Sequence, residues 1–448
     1  MKQTLSFTEG KIFAPLIRFA IPVLMAMFLQ TMYGAVDLMV VGRFATAADV
    51  SAVSTGSMVM YTVTVAITGI AMGLTVLVGR TIGEGKKQEA GAIIGSGICL
   101  FAVIAVAVSA AMMLSSSAIA RVMQAPEEAF RQTVSYISIC SAGAVFIVAY
   151  NLVGSIFRGL GDSKMPLVTV AIACVLNILG DLLLVGGLKM GASGAAIATV
   201  TAQAVSVVLS VGIIRRRELP FVFTMRDIRP NWSIIRKILM LGVPIAAQDL
   251  LGCISFLVLT AIVNTLGVTI SAGVGVAEKL CGFIMLVPSS FMQSMSAFVA
   301  QNMGAGKPDR AKKALFCGIL SSLAVGCVIF YVGFFHGNIL VSLFAKDTAV
   351  LAAAAEYLKA YAIDCIFTAF LFCFVGYFNG RGNTLFVMIQ GIIGAFGVRI
   401  PVSWFVSRQS WARLFYIGLA TPAASVVQII LFMGFFLWTQ RKEKLHAI

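Results

Sequence analysis

Twelve apolar runs, each long enough to cross a bilayer, constrain this chain more than any other feature. They fall at roughly residues 14–41, 52–79, 91–116, 131–156, 165–187, 191–214, 234–262, 269–300, 312–336, 351–378, 385–407 and 412–439. About twenty apolar helical residues span the hydrocarbon core, where every backbone polar group must be satisfied internally. Composition agrees: 60% of residues are hydrophobic and 11% charged, where a soluble domain carries about 25% charged residues. The sequence therefore predicts an all-α polytopic membrane protein with twelve transmembrane helices. The first run extends to about residue 41 without a short core and small-residue cleavage site, so it reads as a retained helix and not a signal peptide.

The net charge of +15 is explained by its distribution. With the N-terminus in the cytoplasm, cytoplasmic segments hold 23 of the 33 basic residues and the opposite side seven; Lys279, Lys359 and Arg399 lie in or near spans. That asymmetry is a topology signal. It predicts a multi-pass protein of the plasma membrane (a bacterial cell or inner membrane), with both termini cytoplasmic and no nucleic-acid partner. Trp404, Trp411 and Trp438 sit near expected helix ends, as interfacial anchors do. The nine cysteines are scattered singly, with no CxxC or Cys/His cluster. They read as small packing residues, not disulfides or metal ligands, and no cofactor is expected.

The chain repeats itself. "VGRTIGEGKKQEA" (78–90) matches "VAQNMGAGKPDRA" (299–311), and "FRGLGDS" (157–163) matches "FNGRGNT" (378–384), both at an offset of 221. Tyr136 falls on Tyr357 at that offset, and Pro22 on Pro244 at 222. The offset spans six helices, an even number, so the repeats enter the membrane from the same side. The expectation is two parallel six-helix bundles related by a pseudo-twofold axis along the membrane normal, comprising residues 1–216 and 234–448 and joined by a cytoplasmic linker, 217–233. The glycine pairs read as tight turns, and Asp162 or Ser163 as the cap of the following helix.

On these grounds the chain resembles the MATE family of multidrug and toxic-compound extrusion transporters over essentially its whole length. The resemblance rests on "FRGLGDSKMP" and its echo "FNGRGNT", on "TMYGAVDLMVVGRFA" (31–45) and on "LNILGD" (176–181). It implies a V-shaped pair of bundles, acting as a monomer and not as an enzyme. The implied activity is export of amphipathic, often cationic small molecules in exchange for Na⁺ or H⁺ by rocking alternating access.

A carboxylate at the bilayer centre costs about 2.5–3.5 kcal/mol on insertion scales, so acids inside spans need a reason. Five stand there: Asp37, Asp181, Asp249, Glu278 and Asp364. Asn177 and Asp181 are four residues apart and share a helix face; Gln30, Tyr33 and Asp37 share another, and Thr199 and Gln203 a third. Three N-terminal helices thus each present a polar stripe that lipid would penalise. Two carboxylates, an amide oxygen and a hydroxyl are hard ligands for a small alkali cation. Close carboxylates also repel, so a proton or a cation would relieve the pair. The resemblance implies the same: Asp37, Asn177, Asp181 and Thr199 look like the family's N-lobe cation site, with Gln30 as a neighbour. Interhelical glue is the alternative, but at about 0.6 kcal/mol per hydrogen bond it suits Asn177, Thr199 and Gln203 better than the acids.

The second half is not a copy. Residues near Val258 and Val402 replace the two acids, and Arg399 falls close to the counterpart of Asn177. Asp364 resembles a C-lobe acid of some MATE branches, but the seventh span lacks their glutamate and offers only Asp249. Asp364 reads equally as a functional acid or as the ion-pair partner of Arg399. Glu278 is a candidate for facing substrate. Two rival functions remain. A lipid-linked oligosaccharide flippase of the same superfamily would want several cavity Arg or Lys residues for its pyrophosphate cargo. An intramembrane serine protease is suggested by "GASGA" (191–195), but needs a histidine base on a later span; the two histidines, His336 and His446, are not mid-span.

Overall fold

The protein is described by a computed structural model covering residues 7–216, 223–344, 347–411 and 413–446. The first six residues of the expected linker, 217–222, and the basic residues Lys2, Arg217 and Lys346 lie outside it. The described residues form helices α1 (Phe13–Phe44), α2 (Ala47–Gly83), α3 (Lys87–Val122), α4 (Glu127–Ala142), α5 (Ala144–Gly159), α6 (Lys164–Asp181) and α7 (Gly191–Arg216). There follow α8 (Trp232–Asn264), α9 (Val268–Ile284), α10 (Leu286–Gly304), α11 (Pro308–Phe335), α12 (Gly337–Val341) and α13 (Thr348–Arg381). The chain ends with α14 (Thr384–Ile392), α15 (Ile400–Ser407), α16 (Leu414–Gly418) and α17 (Ala420–His446). Two π-helical segments, Leu182–Gly187 and Ile393–Arg399, continue α6 and link α14 to α15.

Eleven of these helical stretches are long and apolar enough to span a bilayer; a twelfth appears if α4 and α5, bent by 49° at Gly143, count as one. The expected continuous span 131–156 is therefore interrupted by a bend. Val200 of α7 occupies the space a side chain at position 143 would need. Large apolar residues lie open on the helix surfaces, Leu114 at 90% and Val208 at 66% exposure among them. In water such patches would be penalised; in lipid they are at home. The chain is a multi-pass membrane protein.

Contacts divide the chain into two compact units. The first holds the residues through Gly10, Ile17–Ala246 and Ala300–Lys307; the second holds Lys11–Leu16, Ala247–Val299 and the residues from Pro308 onward. The sequence repeat is visible in their hydrogen bonds. In the first unit, Thr75 Oγ1 donates to Ala71 O (3.4 Å) and Ser155 O (2.9 Å). In the second, Ser296 Oγ donates to Met292 O (3.0 Å) and Gly376 O (3.2 Å). All three positions match at the offset of 221. The neighbouring glycines match as well. A Cβ on Gly159 would meet Thr75 O and Val78, and one on Gly380 would meet Ser296 O and Val299, all within 3.0 Å. Two helix crossings are thus built to one plan, a hydroxyl bonding across to the next helix beside a glycine that admits its backbone.

The first unit also contains a reciprocal crossing of the α2 and α10 ends. A Cβ on Gly83 would strike the carbonyl of Gln301, and one on Gly304 the carbonyl of Arg80. These pairs exchange under the repeat, 83 with 304 and 80 with 301. Gln301 Nε2 further donates to Gly159 O at 2.8 Å, and Asn302 Nδ2 to Phe7 O at 3.2 Å. The described part of the linker is docked in the same unit: Ser96 Oγ of α3 donates to Arg229 O at 3.1 Å. Thr224 and Asp227 close a capping box on the short 3₁₀ turn Met225–Asp227.

Candidate functional site

The three polar stripes of the N-terminal helices meet. Thr199 Oγ1 of α7 donates to Asp37 Oδ2 of α1 at 3.3 Å, and Asn177 Nδ2 of α6 donates to Thr199 Oγ1 at 3.3 Å. Asp181 closes the group, its carboxyl beside that of Asp37. Asp181 is 0% exposed, Asn177 2% and Asp37 5%. α6 brings in both of its members because they stand one turn apart on one face. α7 packs along α6 and supplies the bridging hydroxyl.

The group is rich in acceptors and short of donors. Among its buried oxygens, Asp37 Oδ1, Asn177 Oδ1, Asp181 Oδ1 and Asp181 Oδ2 have no hydrogen-bond partner, nor has Gln203 Oε1 nearby on α7. Buried unpaired polar atoms cost about 1–3 kcal/mol each, more when charged. Two ionised carboxylates facing each other add repulsion. A shared proton, or an oxygen-ligated cation, would satisfy these atoms together, so the residues present fit either. Among the described residues, no group of three or more His, Cys, Asp and Glu side chains could hold a metal ion; the donors here are two carboxylates plus neutral oxygens.

Gln30 and Tyr33 extend the site along α1. The half-buried Tyr33 hydroxyl faces the amides of Gln203 and Gln30, with Asp37 one turn beyond. One neighbour escaped the sequence reading. Tyr136 of α4 is 3% exposed and stands near Asp37 beside Cys140. The sequence marked it only as a repeat position; its place on a half-apolar helix gave no other signal.

The second unit holds the remaining candidates, spread over several helices. Glu278 Oε1 of α9 accepts from Thr260 Oγ1 of α8 at 3.1 Å. Asp364 of α13 is 2% exposed, faces Ser425 of α17 and leaves Oδ1 without a partner. Arg399 lies with its guanidinium 4.3 Å from the Phe256 ring centre, Nη1 donating to Ser255 Oγ at 3.4 Å and Nε unpartnered. Asp364 and Arg399 make no ion pair within 4 Å, so Asp364 is not a contact partner of Arg399. Asp249 is half-buried on α8 and forms no hydrogen bond among the described residues. The structure therefore brings Asp37, Asn177, Asp181 and Thr199 into one cluster flanked by Gln30, Tyr33 and Gln203, and leaves Asp249 outside any such network. Asp364 also occupies the repeat counterpart of Gly143: where one half bends, the other carries a buried acid on a continuous helix.

The protease reading has no support in this geometry. Ser193 Oγ lies 3.0 Å from Ser135 Oγ, and neither of the chain's two histidines, His336 and His446, belongs to that unit.

Comparison with known proteins agrees with the architecture. The family described as MatE matches twice, over residues 22–183 and 244–405, which restates the internal repeat. The probable multidrug resistance protein YoeA of Bacillus subtilis (strain 168) is 24% identical over 437 residues, covering 96% of this chain and 94% of that protein. A protein of Shewanella oneidensis named FAD transporter is 27% identical over 297 residues, 65% of each chain. The crystal structure of a MATE protein in complex with MaL6 superposes with a TM-score of 0.92 at 20% identity, covering 100% of both chains; at that identity the likeness speaks to the fold. The chain belongs to the MatE family, a family of membrane transporters and not of enzymes.

Proposed function

We propose that this protein is a secondary active exporter of amphipathic, mainly cationic small molecules, driven by antiport of Na⁺ or H⁺ through the Asp37–Asp181 pair. One observation carries the reading: two fully buried carboxyls side by side, with four acceptor oxygens lacking donors, on helices of one unit. Relatives named as multidrug resistance proteins support the cargo class. In this reading both termini lie in the cytoplasm, and residues 1–216 and 234–448 are the two moving halves.

The chain's own residues set the coupling. Empty and ionised, Asp37 and Asp181 repel, and Asn177 Oδ1 adds a third acceptor. Occupied, the same oxygens converge, drawing α1, α6 and α7 together through Thr199. The π segment starts at Leu182, one residue after Asp181. π turns are rare and frequent at functional sites, and this one is the element whose register can follow the occupancy of the pair. Transmission requires the ion to bind one state more tightly than the other, since equal affinity shifts nothing. The scale is adequate: one charge crossing 100 mV supplies about 2.3 kcal/mol. Glu278, Asp364, Arg399 and Asp249 then serve cargo recognition in the other half. The expected result in proteoliposomes is efflux of an ethidium-type dye under an imposed inward Na⁺ or H⁺ gradient and none without. Uptake or flipping of pyrophosphate lipids in place of dye efflux would overturn the reading in favour of a flippase.

A further inference from the structure

A groove of about 500 Å³ opens at the end of α13, between the start of α14 and the last turns of α17. Its lining includes Arg381, Asn383, Phe435, Trp438, Lys442 and Glu443. Comparison of the two repeats shows what has changed here. In the first repeat, Asp162 Oδ1 accepts from Lys164 N (2.9 Å) and Met165 N (3.2 Å), placing a carboxylate on the start of α6. Its counterpart before α14 is Asn383, which is neutral and makes no capping bond. The positive end of the α14 dipole has thus lost its anion. The basic residues have been redistributed: Arg158 and Lys164 of the first repeat are replaced by Asn379 and Leu385, Leu160 is replaced by Arg381, and Lys442 reaches in from α17.

The local charges leave room for an anion. Glu443 binds Arg381 and, at 3.1 Å, Lys312; Lys312 also lies 3.3 Å from Asp309. Three cations therefore face two carboxylates, and Lys442 has neither of them as a partner. Its ammonium lies instead 5.4 Å from the Trp438 ring centre. From there aromatic rings descend in a ladder: Trp438 to Phe435 at 5.5 Å, and Phe435 to Phe386 at 3.9 Å. Trp438 is 55% exposed, and Leu385 and Leu437, exposed at 59% and 55%, flank the same helices. An exposed Trp beside a cation, above an apolar track, is the arrangement of a membrane interface.

We infer that this groove binds the headgroup of an anionic phospholipid, the phosphate resting on the α14 N-terminus between Lys442 and Arg381, and an acyl chain running along Trp438, Phe435 and Leu385. Charge complementarity calls for the phosphate; a free phosphate would have no use for the ladder. The assignment of the leaflet as cytoplasmic rests on the proposed orientation, but the binding itself does not.

The test is thermal unfolding of the purified full chain in phosphatidylcholine nanodiscs with and without phosphatidylglycerol. The wild type is expected to gain several degrees of Tm from the anionic lipid. Lys442→Gln should lose most of that gain. Asn383→Asp, which restores the carboxylate of the first repeat, should lose it too, while melting in pure phosphatidylcholine at or above the wild-type temperature. An undiminished gain in both variants would overturn the site. So would an equal gain from inorganic phosphate in pure phosphatidylcholine, which would assign the groove to free anions. Transport is not read in this experiment, so a failed export reading and a failed lipid site are separately visible.

Discussion

Asp181 has no exposed surface and no hydrogen-bond partner on either carboxylate oxygen, a combination that structure alone gives little reason to keep. Asp181→Asn keeps the shape and removes the charge. It should slow export and flatten its dependence on both Na⁺ and pH, read as dye efflux under separately imposed gradients. Wild-type dependence on both would make α6 structural. Asp37→Asn should abolish active export while the protein still inserts, checked by detergent-extracted yield and size-exclusion profile. Asn177→Ala should act more mildly, because Asn177 contributes one neutral oxygen and an amide to Thr199. Drug binding to the resting protein should suffer less than transport in all three. The acids and their stripes were legible in the sequence because mid-membrane charge is costly and helical spacing assigns faces. Their meeting point was legible only in part. Tyr136 stands on α4, whose sequence carries no stripe pointing at Asp37, and the missing contact between Asp364 and Arg399 depends on backbone placement that no spacing encodes.

At the scale of elements, the sequence located the spans but not their interruptions. A π segment is an extra residue in a helical turn; the glycines of "LLLVGG" and "IGAFGVR" weaken the helix there, but nothing in either stretch specifies a π turn. The break at Gly143 is equally silent until Val200 is seen to fill the space beside it. The duplicated crossings allow a direct comparison. Thr75→Val and Ser296→Ala each remove a hydroxyl bonded across to a neighbouring helix, and each should cost on the order of 1 kcal/mol, read as similar falls in Tm. A large loss at one site and none at the other would deny the shared plan. The 3₁₀ turn before α8 lies outside the spans and has a pH signature. Backbone and side-chain donation by Thr224 holds the Asp227 carboxyl below its ordinary value. The ionised form is therefore favoured by the fold, so the turn's support is complete above the ordinary carboxylate range and is lost as pH falls through the depressed value. The protection of amides 223–231 against hydrogen exchange, taken relative to their intrinsic rates at each pH, should be constant near neutrality and fall below about pH 4.

For the molecule as a whole, the repeat was the most legible feature, since four stretches in nearly one register cannot arise from composition. It predicts that cysteines placed at 158 and 381 are labelled from the same side of the membrane, the cytoplasmic one. Labelling from opposite sides would overturn the parallel arrangement. What the repeat concealed is how far its copies have diverged: paired acids in one half, a half-buried arginine in the other, a capped helix here and an uncapped one there. The reciprocal crossing of Gly83 and Gly304 carries a consequence for inheritance. Each glycine meets the backbone beside the other, so widening either position pushes the same two strands of main chain apart. The first substitution bears nearly the whole penalty, and the second finds the gap already opened. Gly83→Ala and Gly304→Ala should each be harmful alone, while the double variant falls well short of their sum. Two sites 221 residues apart in the chain would then be inherited as a single locus, each tolerating change only in the company of the other.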